Sequence, residues 1–159
     1  MSHPVKIALV VGASLIGIYV AASFALTGLV SARVQGNEAS AIGSVRSVQS
    51  AQAAFAASEC RGLYAPRLTA LAANDYLSPD LAVAYVVQKA GYRITLRASG
   101  ESPNQADLAP ACAGATTAFV VTAEPVVPGE SGIRYFRGSE EGGVVEATNA
   151  DFSDARPVR

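Results

Sequence analysis

From Ile7 to Val30 the chain runs for 24 residues without a charge, IALVVGASLIGIYVAASFALTGLV, with Ser14, Tyr19, Ser23 and Thr27 as its polar members. A helix of this length covers about 36 Å, enough for a hydrocarbon core of about 30 Å. No water is available there, so every backbone N–H and C=O has to pair internally, and a helix does this within one segment. The pattern predicts a transmembrane helix at 7–30, behind a short N-terminus at 1–6. The leader MSHPVK, the apolar run and Val30-Ser31-Ala32 also fit a signal peptide cleaved after Ala32. The run exceeds the usual h-region of about 7–15 residues, which favours a retained anchor.

The helical pattern continues beyond the run. From Ser31 to Ser58 there is no proline, and only Gly36 and Gly43 weaken it. Val34, Ile42, Val45, Val48, Ala51 and Phe55 form a narrow apolar stripe, with Ile42, Val45, Val48 and Phe55 as the packing residues. Asn37, Glu38, Arg46, Ser47, Gln49, Ser50 and Gln52 are assigned to the other faces. A single helix over 7–58 would run about 78 Å; two helices broken near Gly36 are the alternative. The outer half is too narrow-striped and Ala-rich to stand alone in water and needs a partner surface, most simply a sheet of the same chain. Gly62, able to take a positive φ, marks the end of the helix.

After a loop with Pro66, Leu68 to Asp75 reads as a short helix. Ser78-Pro79-Asp80 then starts another turn through Leu81-Ala82-Val83, with Ser78 as cap and Pro79 first in the helix. Tyr85-Val86-Val87 is open between helix and strand. Beyond Gly91 the period changes to two: Tyr92, Ile94, Leu96 and Ala98 share one face of a strand. Residues 99–117 form a Gly/Pro-rich loop holding Cys112, long enough to need a tether. Ala118–Glu124, Ile133–Arg137 and Val144–Thr148 supply further strands, separated by turns at Pro128–Gly132 and Gly138–Gly143. Asn149–Arg159 reads as a polar, frayed tail. A long helix followed by a run of three or four antiparallel strands gives an α+β domain over 31–148. Its expected core is Phe55, Leu71, Ile94, Leu96, Phe119, Val121 and Tyr135.

Charge narrows the partners. Lys6 is the single basic residue before position 31, which leaves 11 Lys/Arg against 13 Asp/Glu downstream. A slightly acidic domain has no basic footprint and argues against nucleic acid. Lys6 and the amino group flank one end of the run and Arg33 the other, a small bias towards a cytoplasmic N-terminus. Cys60 and Cys112 lie together in the exported part and favour one disulfide, with two buried free thiols as the alternative.

The chemistry of catalysis is missing. The one histidine, His3, precedes the apolar run, so the domain has neither an imidazole base nor the Cys/His set of a zinc site. No phosphate-cradling glycine loop or nucleophile motif occurs. Glu140-Glu141 reads as a solvated turn rather than an acid/base pair, and an oxygen-ligand calcium site from Glu140, Glu141, Asp151 or Asp154 is the lesser alternative. Tyr92, Tyr135 and Phe136 read as sheet residues rather than a stacking platform. No enzyme activity, cofactor, metal or small-molecule substrate is expected.

Several segments resemble, in order, those of bacterial type IV pilin-like proteins. Asn37–Ala54 (NEASAIGSVRSVQSAQAA) is similar to the stretch just outside their membrane helix. Gly62-Leu63-Tyr64-Ala65-Pro66-Arg67-Leu68-Thr69-Ala70-Leu71 resembles their G-Y-x-P-x-L-x-x-L stretch, with Leu63 extra. Leu77–Leu81, Gly91–Ile94, Ala123–Gly129 and Gly132–Phe136 look like later pieces. The resemblance implies a long N-terminal helix packed on an antiparallel sheet, and a subunit that leaves the membrane to pack helix against helix in a filament. At the N-terminus the chain departs from the pattern. Val5-Lys6-Ile7-Ala8-Leu9-Val10 has neither the Gly–Phe processing junction nor the early Glu, for which Val10 stands, and Thr27 replaces a common Pro.

The expectation is a single-pass inner-membrane protein with its C-terminal domain in the periplasm or at the cell surface. Its partners would be membrane lipid and other pilin-like subunits of a type IV pilus or type II secretion type assembly. The alternative is an anchored periplasmic or extracellular binding module that does not polymerise.

Overall fold

A computed structural model describes residues 3–58, 60–81, 84–104 and 108–158, without the side chains of 3–27. Helix α1 is His3–Ala57, 55 residues in one piece, about 82 Å long. It passes Gly36 without a break. The side chains of Ile7–Thr27, on which the predicted membrane span rests, lie outside the described residues, as do Ala82 and Val83 of the predicted turn. Among the described residues no helix is long and apolar enough to cross a membrane.

The helix is followed by a short helix α2 (Leu68–Ala72) and a 3-10 turn at Pro79–Leu81. Then comes an antiparallel sheet of six strands in chain order: β1 (Val86–Lys89), β2 (Tyr92–Ser99), β3 (Ala118–Pro125), β4 (Tyr135–Ser139), β5 (Val145–Ala147) and β6 (Arg156–Pro157). The protein is therefore α+β, with one face of the sheet laid along the outer half of α1. Of the ambiguous stretch 85–87, Val86 and Val87 resolve as strand because they pair with Thr95 and Ile94, and Tyr85 precedes the strand.

The buried row of α1 is Val34, Glu38, Ala41, Val45, Val48, Gln52 and Phe55. Its steps of three and four keep one line of a helix against a partner. Of the expected packing residues Val45, Val48 and Phe55 are buried, while Ile42 is half-buried at the flank. The assignment of Glu38 and Gln52 to outer faces is corrected: both lie in the seam, at 4% and 0% exposure.

The sheet side of the core is Val87, Tyr92, Ile94, Leu96, Phe119, Val121, Ala123 and Phe136. Tyr135, expected in this core, is replaced by Phe136, and Ala98 is exposed. Gly138 explains the parity of β4. A Cβ on it would lie 2.8 Å from the Gln49 side chain and 2.9 Å from Val45. Only a glycine lets the helix pass this close, and Phe136, two residues away, necessarily faces the same side.

The helix ends through a left-handed pair, Arg61 at φ 53° and Gly62 at φ 85°, and the Gly62 N–H returns to the Ala56 carbonyl (2.9 Å). Cys60 is bonded to Cys112, with Cα atoms 5.5 Å apart. Tyr64 and Thr116 exchange both backbone hydrogen bonds (2.8 and 3.1 Å). The long 99–117 loop is thus held against the end of α1 at two neighbouring points. Of the segment 149–159, read as a frayed tail, the described part, 149–158, instead folds back. Phe152 is buried at 9% exposure beneath the Arg137 guanidinium (4.8 Å to the ring), and Arg156–Pro157 extend the sheet.

These ties make stability measurable at two points. The disulfide closes a separation of 52 residues, so in the chain-entropy model its reduction lowers stability by ~4 kcal/mol; urea unfolding with and without reductant measures it. Intact-mass analysis after alkylation of the native protein should show no label before reduction, and two labelled thiols would refute the bond. Gln52 donates to the Ala65 carbonyl (2.9 Å) and accepts from the Ala65 N–H (2.7 Å), all buried. Gln52→Leu leaves two buried backbone groups unpaired and should cost about 2–5 kcal/mol in the same assay.

Candidate functional site

Two opposite faces of α1 carry the features that go beyond an ordinary core. One is the polar part of the buried seam. Glu38 accepts hydrogen bonds from the backbone N–H of Ile133 (2.9 Å) and Arg134 (3.1 Å). It also takes the Arg134 guanidinium through Nε (2.9 Å) and Nη2 (2.7 Å), a two-point fork. Arg134 reaches on to Glu146 (2.5 Å), whose other oxygen takes Arg156 (2.9 Å). The chain of charges runs from the helix through Arg134, just before β4, to β5 and β6. Beside it, Asn37 donates to the Ser131 carbonyl (2.8 Å), and Gln49 donates to the carbonyls of Ser139 (3.1 Å) and Gly143 (2.7 Å).

Burial pushes the Glu38 carboxyl up. The Arg134 hydrogen bonds, the two backbone N–H groups and the guanidinium charge together outweigh it and hold the pKa below the usual carboxylate range. The Arg134 guanidinium is held above its ordinary value, first by the hydrogen bond to Glu38. Burial, then the Glu38 charge, pushes the Tyr92 phenol up, and its hydroxyl donates to the Arg134 carbonyl (2.8 Å). Tyr92 and Phe136 meet at a tilt inside the core, ring centroids 5.8 Å apart, and both are buried.

The other face is exposed and made of small residues. Ala32, Gly36, Ala39, Gly43, Ser47, Ser50, Ala54 and Ala57 are all exposed. At about 100° per residue they occupy a strip roughly 80° wide, centred opposite the buried seam. A Cβ at Gly28, Gly36 or Gly43 would meet nothing within 4 Å. Such a strip lets a second backbone approach closely, because no long side chain stands in the way. Arg46 and Gln35 flank it.

Three of the four acidic residues weighed for acid/base or calcium chemistry, Glu140, Asp151 and Asp154, are used locally. Glu140 accepts from the Phe119 N–H (3.2 Å), Asp154 from the Thr148 N–H (3.1 Å), and Asp151 from the Ser153 N–H (3.0 Å). Among the described residues no three His, Cys, Asp or Glu side chains are grouped to hold a metal ion. A search for apolar periodicity passes over Glu38 and Gln52 as seam residues. Each nevertheless stands seven positions from the apolar Val45, a spacing that returns to one helical face.

Because the folded-state pKa of Glu38 is depressed, its contribution is fully present above the ordinary value of 4.5 and is lost as pH falls through the folded value. The full-length chain in detergent should therefore lose stability on acidification below about pH 4.5 more steeply than Glu38→Gln. At neutral pH Glu38→Gln should cost about 1–3 kcal/mol, the half-exposed Arg134 partner keeping the loss moderate. Urea midpoints across the pH range measure both, and equal acid slopes would refute the assignment.

Comparison with protein-family models, curated proteins and solved structures finds no match to this chain.

Proposed function

We propose that the chain is a membrane-anchored, pilin-like structural protein of a type IV pilus or type II secretion type assembly. In this reading residues 7–30 form a single inner-membrane span and the domain lies in the periplasm or at the cell surface. The observation that carries the proposal is the division of α1 into two faces. One is committed to the folded domain by Glu38, Val45, Val48, Gln52 and Phe55. The opposite one is a strip of small residues, open from Ala32 to Ala57. A helix serving only as a stalk has no need of such a strip, whereas helix-on-helix association is favoured by it. The ordered resemblances over residues 31–148 support the same reading.

A second reading has its own observation. Val10 in place of the early Glu, and Val5-Lys6-Ile7 in place of the Gly–Phe junction, favour an anchored binding module that does not polymerise. N-terminal sequencing of the mature protein and recovery of the chain in sheared filaments distinguish the two. An unprocessed chain confined to the membrane fraction would sink the subunit reading.

The strip gives a sharper test. The double substitution Gly36→Leu with Gly43→Leu should leave the domain folded, with unfolding midpoints equal or raised, since leucine is the better helix former by about 0.5–1 kcal/mol per site and meets open space. It should remove the chain from the filament fraction. Normal incorporation of this variant would refute the packing role.

A further inference from the structure

The floor of the domain is a surface that helix packing does not use. Val34 is the first buried residue of α1 among those described, four positions beyond Val30, or about 6 Å along the axis. The headgroup layer on each side of a bilayer is itself about 5–7 Å thick. A helix holding 7–30 in hydrocarbon therefore leaves no gap between domain and bilayer. The floor sits at headgroup level.

A cleft of about 430 Å³ opens there between α1, the β1–β2 turn and the 126–131 loop, with Arg33, Lys89, Gly91, Val127 and Glu130 in its lining. The loop is stiff rather than loose. Ser131 closes it with a backbone bond to the Val127 carbonyl (2.9 Å) and a hydroxyl that accepts from the Val127 N–H (3.1 Å), and Asn37 ties it to the helix. Arg33 is exposed and makes no ion pair among the described residues. Lys89 is engaged by Asp80, and Glu130 is the opposing charge in the lining. Val127 is 45% exposed, and Leu29 and Val30 on the helix are 68% and 57% exposed. A free guanidinium with aliphatic groups beside it, at the level where phosphate meets acyl chain, matches one chemistry. Arginine binds phosphate through a planar fork, and exposed valine and leucine are accepted at the acyl boundary.

We propose that this cleft seats the phosphate of an anionic phospholipid headgroup, with Arg33 as its ligand, and so docks the domain on the bilayer surface. This rests on 7–30 being a membrane span. The competing occupant is a second copy of the chain.

The chain has no tryptophan, so Val127→Trp, on an exposed loop position, supplies a single indole reporter. The full-length variant is reconstituted in phosphatidylcholine vesicles with or without phosphatidylglycerol, each with ordinary or brominated acyl chains, and protease protection of 7–30 is read in parallel. The indole fluorescence should be quenched by brominated lipid in the anionic vesicles and less in phosphatidylcholine alone. Arg33→Ala in the same background should lower the docked-to-undocked ratio about fivefold, the effect of one basic residue near an anionic surface. Glu130→Gln should raise it. Absence of quenching with 7–30 protected overturns the docking and leaves the span intact. Absence of both overturns the two together. An indole emission shift that follows protein-to-lipid ratio without quenching assigns the cleft to a second copy and overturns the lipid. Quenching unchanged by Arg33→Ala overturns the role of Arg33.

Discussion

The seam between helix and sheet contains a carboxylate and an amide where an apolar helix stripe would have carbon. Buried polar groups have to be paired, and each of these can be paired in one place only. Glu38 needs the backbone N–H groups and guanidinium of residues 133–134. Gln52 needs both backbone groups of Ala65. The two sit about 21 Å apart along one helix, so together they set both the rotation of α1 and its axial position against the rest of the chain. An all-apolar stripe would have given adhesion with a weaker choice of register.

With the rotation set, the close approach at Gly138 becomes tolerable and the parity of β4 follows. Phe136 goes inward, Tyr135 outward, and Glu146 on β5 is brought within reach of Arg134. The same rotation turns the strip from Ala32 to Ala57 away from the sheet. One helix therefore offers two unlike faces, and what is buried in the domain decides what remains for partners. The disulfide and the Tyr64–Thr116 pair act at the far end, where the seam has run out and the long loop has little apolar surface of its own.

Much of this fold was legible in the chain. Val45, Val48 and Phe55 announce the helix face, and the alternation Tyr92, Ile94, Leu96 announces β2. Less legible were the short elements. Arg156–Pro157 has no strand pattern, and its pairing is held by contacts away from the segment itself, the Arg156–Glu146 ion pair and Phe152 under Arg137. Tyr85-Val86-Val87 is ambiguous by period, and Val86–Lys89 becomes a strand because β2 presents an edge to it. In the candidate site, Gly36 and Gly43 of the strip were visible as helix weakeners, not as part of a face, since a face is defined only when the opposite side is occupied.

By itself the sequence determined a long helical segment with an uncharged first half, an α+β order of elements, and a cysteine pair at the helix end and in the long loop. Those follow from local period, charge and turn chemistry, which neighbours along the chain control. Tertiary structure alone decided that Glu38 and Gln52 face inward, that Phe136 rather than Tyr135 enters the core, and that Arg156–Pro157 join the sheet. A polar side chain has no preferred side until a partner is present to satisfy it, and that partner lies 95 residues away for Glu38.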